Sequence, residues 1–344
     1  MHQTDSGAAP SGAVTSVPPA SAAPADGRER PAAPPSGLSP SRAGDFMTCP
    51  LLYRFRVIDR LPEPPSPAAT RGTVVHAVLE RLFDSPAGER TPQRARELLL
   101  PQWERLLAER PELAELFPDD ADGSQLAGWL ADAERLLERY FQVEDPTRLE
   151  PAERELHVET VLDSGLRLRG YIDRVDVAPT GEVRLVDYKT GKAPPRNYEG
   201  KALFQMKFYA LVLWRLRGVV PKRLQLVYLG SGDVVTYDPD PGDLRAVERK
   251  LLALWEAIQR AVATGEWLPR PSRLCDWCSH RALCPSFGGT PPPYPLDVRP
   301  APMPGAARPA VPLPAVPLPA VPTAAVPKPA APTPAVPTSA EESW

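Results

Sequence analysis

The chain of 344 residues is longer than one domain core requires, yet 47 of them are proline and only 7% are aromatic, so part of it lies outside any globular core. A formal net charge of −3 excludes binding to nucleic acid through overall basicity; any such contact has to be local. No apolar run approaches a membrane span and no secretory signal core is present, so a cytoplasmic protein with no membrane attachment is expected.

Residues 1–37 are rich in Ala, Pro, Ser and Gly and carry almost nothing large enough to bury, which predicts a disordered tail. "LSPSRAGDFMTCPLLYRFRVIDRL" reads as a helix, with Ser39 as its cap and Pro40 in the first helical position. After the connector "PEPPSPAAT", the stretch "RGTVVHAVLERLFD" puts Val75, Val78, Leu79 and Leu82 on one helical stripe. Residues 91–145 hold two more helical stretches rich in Glu, Arg, Leu and Ala, as a helical insertion would. From 152 the period becomes two: "RELHVETVL", "LRLRGYIDRVDVA" and "EVRLVDYKT" alternate like strands of one meander, and "APTGE" turns between the last two. A helix over "EGKALFQMKFYALVLWRLRG", a strand over "RLQLVYLG" and a long helix over "DLRAVERKLLALWEAIQRAVATGEW" follow. The cysteine-rich "CDWCSHRALCP" closes a folded unit spanning 38–288. From 289 onward proline recurs at nearly every third position, which favours a disordered polyproline II tail. Strands interleaved with helices give an α/β fold, a mixed central sheet with helices on both faces.

The strand "EVRLVDYKT" carries charge where a buried strand is usually apolar. Val183, Leu185, Asp187 and Lys189 share one side, and Val186 and Tyr188 point the other way. Asp173, on the neighbouring strand, is brought back toward them by the turn. Two carboxylates side by side repel unless a cation joins them or one takes a proton. A hard divalent ion such as Mg²⁺ or Mn²⁺ is the economical solution, and Lys189 beside it suits phosphodiester hydrolysis, orienting a water or neutralising charge in the transition state. An ordinary surface hairpin with an Asp–Lys pair is the other reading. His76 sits on an apolar helical stripe, either as a core residue or facing such a metal. Gln205 and Tyr209, four apart on one helix, either brace the lysine or simply pack. Glu159, on the preceding strand, is a further candidate for the site.

In order, "GTVVH", "GYID", "VDYKT" and "QMKFYA" resemble the RecB-type branch of the PD-(D/E)XK nuclease superfamily. That resemblance implies a restriction-endonuclease-like core and a metal-dependent DNA nuclease, expected to be an exonuclease of repair or recombination acting on ends or single strands. It places His76, Asp173, Asp187 and the Tyr188 carbonyl around the metal, makes Lys189 catalytic, and gives Gln205 and Tyr209 supporting roles. A non-catalytic DNA-binding subunit of a helicase–nuclease is the alternative, although such a copy would be expected to lose Asp173, Asp187 or Lys189.

Cys275, Cys278 and Cys284 are spaced C-x₂-C-x₅-C, with Cys49 more than two hundred residues upstream. This is not the paired C-x₂-C of a zinc ribbon, and four such thiolates suit a [4Fe–4S] cluster, with zinc as the lesser alternative. The bracketing motifs also resemble the iron–sulfur nucleases, including the AddB type, where a cluster staples the first helix to the end of the domain. Arg42, Arg54, Arg56 and Arg60, and Lys192, Arg196, Lys201 and Lys207, are candidate phosphate contacts. Tyr53, Phe55 and Trp277 are candidate base-stacking residues, with core packing the commoner fate. "TGKA" and "EGKA" lack the pattern of a nucleotide-binding loop, so any helicase motor would have to come from a partner.

Overall fold

The structure is a computed structural model that describes residues 33–195 and 200–298, without the side chain of Lys201. Arg196 therefore lies outside the described residues. In chain order the elements are β1 (Gly37–Leu38), α1 (Pro40–Thr48), α2 (Pro50–Tyr53), α3 (Pro67–Leu82), α4 (Pro92–Glu109), α5 (Ser124–Val143), β2 (Glu153–Val161), β3 (Arg167–Val177), β4 (Val183–Lys189), α6 (Gly200–Arg217), β5 (Arg223–Tyr228), β6 (Asp233–Tyr237) and α7 (Pro241–Thr264). Short 3₁₀ turns carry the chain through the cysteine-rich segment.

The expected first helix is interrupted. α1 is capped by Ser39 as anticipated, but Cys49 is extended at φ −160° and Pro50 restarts the chain as α2, which continues into a π turn over Arg54–Ile58. Proline disfavours the helical conformation in the residue before it, so the helix has to stop at Cys49. The connector is shorter than it looks, because Ser66 caps α3 and Pro67 occupies its first turn. β1 and β6 were not anticipated: β1 is two residues long, and β6 is an edge strand with its valines only partly covered.

The sheet has six strands in the order β1-β3-β4-β5-β6, with β2 pairing β3 off that path. β2 lies antiparallel along β3 from Glu153↔Val175 to Val161↔Arg167 and fills one edge of it. β1 and β4 share the other edge, at opposite ends: β1 pairs at Arg167 and Leu168, and β4 from Arg174 to Val177. Between them, residues 169–173 have no strand partner on that edge among the described residues. β4 continues parallel to β5 as far as Lys189↔Tyr228.

Both faces are covered, which is why β4 and β5 read as nearly continuous apolar runs. On one face α1, α6 and α7 contribute Phe46, Phe208, Leu211 and Leu251 to a core with Ile172, Leu185 and Leu224. On the other, α3, α4 and α5 set Val78, Leu82, Trp103, Trp129 and Leu137 against Val186, Tyr188 and Val227. The helical insertion is thus half of the fold's cover. Beyond 288, the Tyr294 hydroxyl donates to the Val262 carbonyl at 3.0 Å and the Pro292 carbonyl accepts from Arg54, so contacts with the core continue past the expected boundary.

Arg174 ties the insertion to the sheet. It is 1% exposed and pairs with both oxygens of Glu144 at 2.8 and 2.9 Å, with Asp176 at 3.1 Å, and with the Tyr188 hydroxyl. Removing one partner of a buried ion pair leaves uncompensated charge in a low-dielectric interior. Arg174→Ala is expected to lower the stability of the fold by about 3–5 kcal/mol, read as a fall in the urea midpoint. A midpoint within error of wild type would show that Glu144 and Asp176 do not depend on this guanidinium.

Candidate active site

β3 and β4 stop pairing after Arg174↔Val186. The next opposed residues are Asp173 and Asp187, and the sheet forks there. Instead of a strand carbonyl, the Asp173 carboxylate accepts the N–H of Tyr188 at 2.8 Å. Asp187, 2% exposed, is held on the α6 side: Gln205 Nε2 donates to its Oδ1 at 2.9 Å, and Lys189 Nζ lies 2.5 Å from its Oδ2, an oxygen that accepts no well-angled hydrogen bond. Gln205 Oε1 accepts from Lys189 Nζ at 2.9 Å, which closes an Asp187–Lys189–Gln205 ring of contacts. Tyr209 stands one helical turn beyond, 3.5 Å from Gln205 Nε2. Its ring rests on Gly170, where a Cβ would come within 2.6 Å of Tyr209 Cε1, so the glycine of "GYID" is a close-approach glycine.

From the opposite face, α3 brings His76 Nδ1 to 3.3 Å from Asp173 and 4.0 Å from Glu155. The ligand atoms of His76, Glu155 and Asp173 all lie within 4.8 Å of one another, the arrangement of donors that can hold one cation. Sequence reasoning expected Asp187 and the Tyr188 carbonyl in that set. Asp187 stands beside that set, held by Lys189 and Gln205, and the Tyr188 side chain is buried edge-on to His76 at 6.1 Å.

Glu155 takes the place anticipated for Glu159. Glu159 lies on the same strand, but four residues, or about 13 Å, from Glu155, and pairs with Arg167 at 3.1 Å. Glu155 has φ 44°, the left-handed region, which is costly for a glutamate and typical of functional sites. There the regular alternation breaks. Arg154 reaches the Glu80 carbonyl of α3, Glu155 reaches His76 on the same helix, and Leu156 packs on the far core. In the β2–β3 ladder Glu155 falls between the pairs Arg154↔Arg174 and Leu156↔Ile172, which brings it to the level of Asp173.

The charge balance is lopsided. Burial and then Asp173 push the Asp187 carboxyl up to about 6, and burial and Asp173 raise Glu155 to about 7. Burial opposes the imidazolium of His76, but Asp173, Asp187 and Glu155 outweigh it and raise the group to about 9. A cation bound here would favour the ionised forms of Asp187 and Glu155 and the neutral imidazole of His76.

The proposed phosphate contacts divide. Arg54 is buried, pairs with Asp59 at 2.9 Å and donates to Pro292, so it is structural. Arg56 is bound by Asp45 and Glu63, and Lys207 by Asp243 and the Tyr237 ring. Lys192 is exposed and lines the groove beside Lys189. Tyr53 and Phe55 are core residues, whereas Trp277 is 78% exposed. Cys49, Cys275, Cys278 and Cys284 border one cavity of about 50 Å³, yet no three of their sulfurs come within 4.8 Å of one another, so they are not drawn into a tight ligand set.

A family model described as the PD-(D/E)XK nuclease superfamily matches residues 37–285. The chain is similar to the Gene 69 protein of Mycobacterium phage D29, 26% identical over 279 residues that cover 72% of this chain and 96% of that protein. It is also similar to the Gene 69 protein of Mycobacterium phage L5, 31% identical over 137 residues that cover 39% of this chain and 44% of that one. A solved structure from Eubacterium rectale, provisionally named an exonuclease, has a TM-score of 0.46 and 14% identity over 71% of this chain and 88% of that chain. No helix among the described residues is long and apolar enough to cross a membrane.

Because His76, Glu155 and Asp187 are raised to about 9, 7 and 6, cation binding below those values displaces protons, and affinity is expected to rise with pH. Titration calorimetry with Mn²⁺ is expected to show weak binding at the acid end, strengthening through this range and levelling above it, with proton uptake by the buffer. An affinity independent of pH would mean that these three groups do not face the cation.

Proposed function

The chain belongs to the PD-(D/E)XK nuclease superfamily, and from that premise we propose that it is a Mg²⁺- or Mn²⁺-dependent DNA nuclease of the RecB type, an exonuclease acting on ends or single strands. The observation that carries this reading is the pairing of two clusters at one fork in the sheet: His76, Glu155 and Asp173 as cation donors, and Asp187, Lys189 and Gln205 linked beside them. A divalent cation, when bound, withdraws charge from the scissile phosphate and acidifies a coordinated water. Asp187 belongs with the donors in this reading, its buried Oδ2 being the atom short of a hydrogen bond.

Lys189 is the group placed to act on the reacting atoms. Gln205 Oε1 accepts a hydrogen bond from it and Asp187 faces it, so the ammonium is fixed in direction before substrate arrives. From there it orients the attacking water and neutralises charge developing on the phosphate oxygens, without reorganisation at the moment of reaction. Gln205 and Tyr209 act through it as positioning residues. A role in repair or recombination, beside a separate helicase, is proposed from the RecB-type resemblance.

The cysteines are proposed as the ligands of an iron–sulfur cluster joining the α1–α2 junction to the C-terminal turns. Support comes from the shared cavity and from backbone N–H groups of Arg270 and Ser272 donating to the sulfurs of Cys49 and Cys275, each at 3.3 Å. Such hydrogen bonds favour thiolates. Tetrahedral zinc at ~2.3 Å from each sulfur would need sulfurs about 3.8 Å apart, closer than the 4.8 Å within which no three of them gather.

The decisive assay is release of nucleotides from end-labelled linear DNA with Mn²⁺. Asp187→Ala and Lys189→Ala are each expected to lose about 10²-fold or more in rate. Equal rates in all three proteins reject this active site, and circular DNA digested as fast as linear rejects exonuclease action. Protein purified without oxygen is expected to be brown and to bleach on reduction. A colourless preparation with stoichiometric zinc would rule the cluster out.

A further inference from the structure

The groove that opens on Lys189 and Gln205 is a cavity of about 970 Å³, and its wall carries the rings of Tyr171 and His157, which the reaction does not use. Tyr171 is 50% exposed although the next residue of β3, Ile172, is fully buried. The β2–β3 register sets His157 directly opposite it, and the two rings lie 5.0 Å apart at 51°. Tyr171 is two strand positions from Asp173, about 7 Å along β3, or roughly the reach of one extended nucleotide. Arg169 and Lys192 border the same groove, and both are exposed. A cross-strand aromatic pair also braces a sheet edge. Bracing alone does not account for a ring left half in water inside the groove of the reacting groups.

We propose that Tyr171 and His157 form a base-stacking site, which receives the unpaired nucleobase next to the scissile phosphate while Arg169 and Lys192 contact the flanking phosphates. The proposal rests on the nuclease reading and deepens it: DNA has to be unpaired at that nucleotide for the ring face to be reached. Recognition of this kind tolerates any base, because every base offers a π face.

The test uses the full chain and fluorescence anisotropy with a short labelled oligothymidylate in Ca²⁺, so that binding is read without turnover. Tyr171→Ala is expected to weaken binding about 5- to 150-fold, the range for loss of one stacked base, and Tyr171→Phe to restore it. His157→Ala, which removes the second ring, is expected to weaken binding by a smaller factor. A single abasic residue moved along the oligonucleotide should weaken binding to wild type most at one position, and at that position should cost Tyr171→Ala nothing more. Wild-type affinity in Tyr171→Ala, failure of Tyr171→Phe to restore it, multiplying effects of variant and abasic residue, or no binding by wild type would each overturn the site. The two readings fail separately. Cleavage by wild type with unchanged binding by Tyr171→Ala removes only the stacking site, whereas equal cleavage by wild type and Asp187→Ala removes the nuclease assignment.

Discussion

Where β3 leaves β4, the N–H of Tyr188 has no strand carbonyl to meet, and the Asp173 carboxylate takes it. That substitution sets one carboxylate between the two strands where their pairing ends. Asp187, the next residue of β4 toward the pairing, is held on the side facing α6 by Gln205 and Lys189. The chemistry of the site depends on a hydrogen bond that the sheet does not make.

Three carboxylates around that gap repel one another, and the fold balances them with His76 from α3 and Lys189 from β4. Both partners arrive from elements that the two cores hold rigidly. α3 is pressed on the sheet by the insertion helices, and β4 is buried on both faces. Arg174, one residue from Asp173, is locked by Glu144 at the end of α5 and by the Tyr188 hydroxyl. The helical insertion therefore reaches the site indirectly, by clamping the backbone on either side of the two acids. This arrangement suits a cation site, since donors that repel in its absence are held in place by packing rather than by one another.

Some of the site was open to reading from period and spacing. Alternation along "VRLVDYK" already separates Asp187 and Lys189 from Val186 and Tyr188, and the structure keeps that division in its two cores. A four-residue interval put Gln205 and Tyr209 on one face of α6, and they contact each other. Glu155 escaped because regular alternation treats it and Glu159 alike; the left-handed backbone that aims it at His76 leaves no mark in residue type. Arg54 looked like a free cation on a helix. Asp59, five residues on, and the carbonyl of Pro292, more than two hundred residues on, absorb it.

The sequence by itself determined most of the helices and the strands β2 to β5, the cover of the sheet on both faces, and the identity of the groups that carry charge, because period, caps and proline positions act within a few residues. It also carried the glycine at 170, whose reason is a ring from α6. Only the tertiary structure decided which acids gather with His76, which arginines are spent inside the fold, and that the four cysteines border one cavity. Those outcomes depend on contacts between residues far apart in the chain and on ångström-scale separations, and a linear pattern of residue types encodes neither.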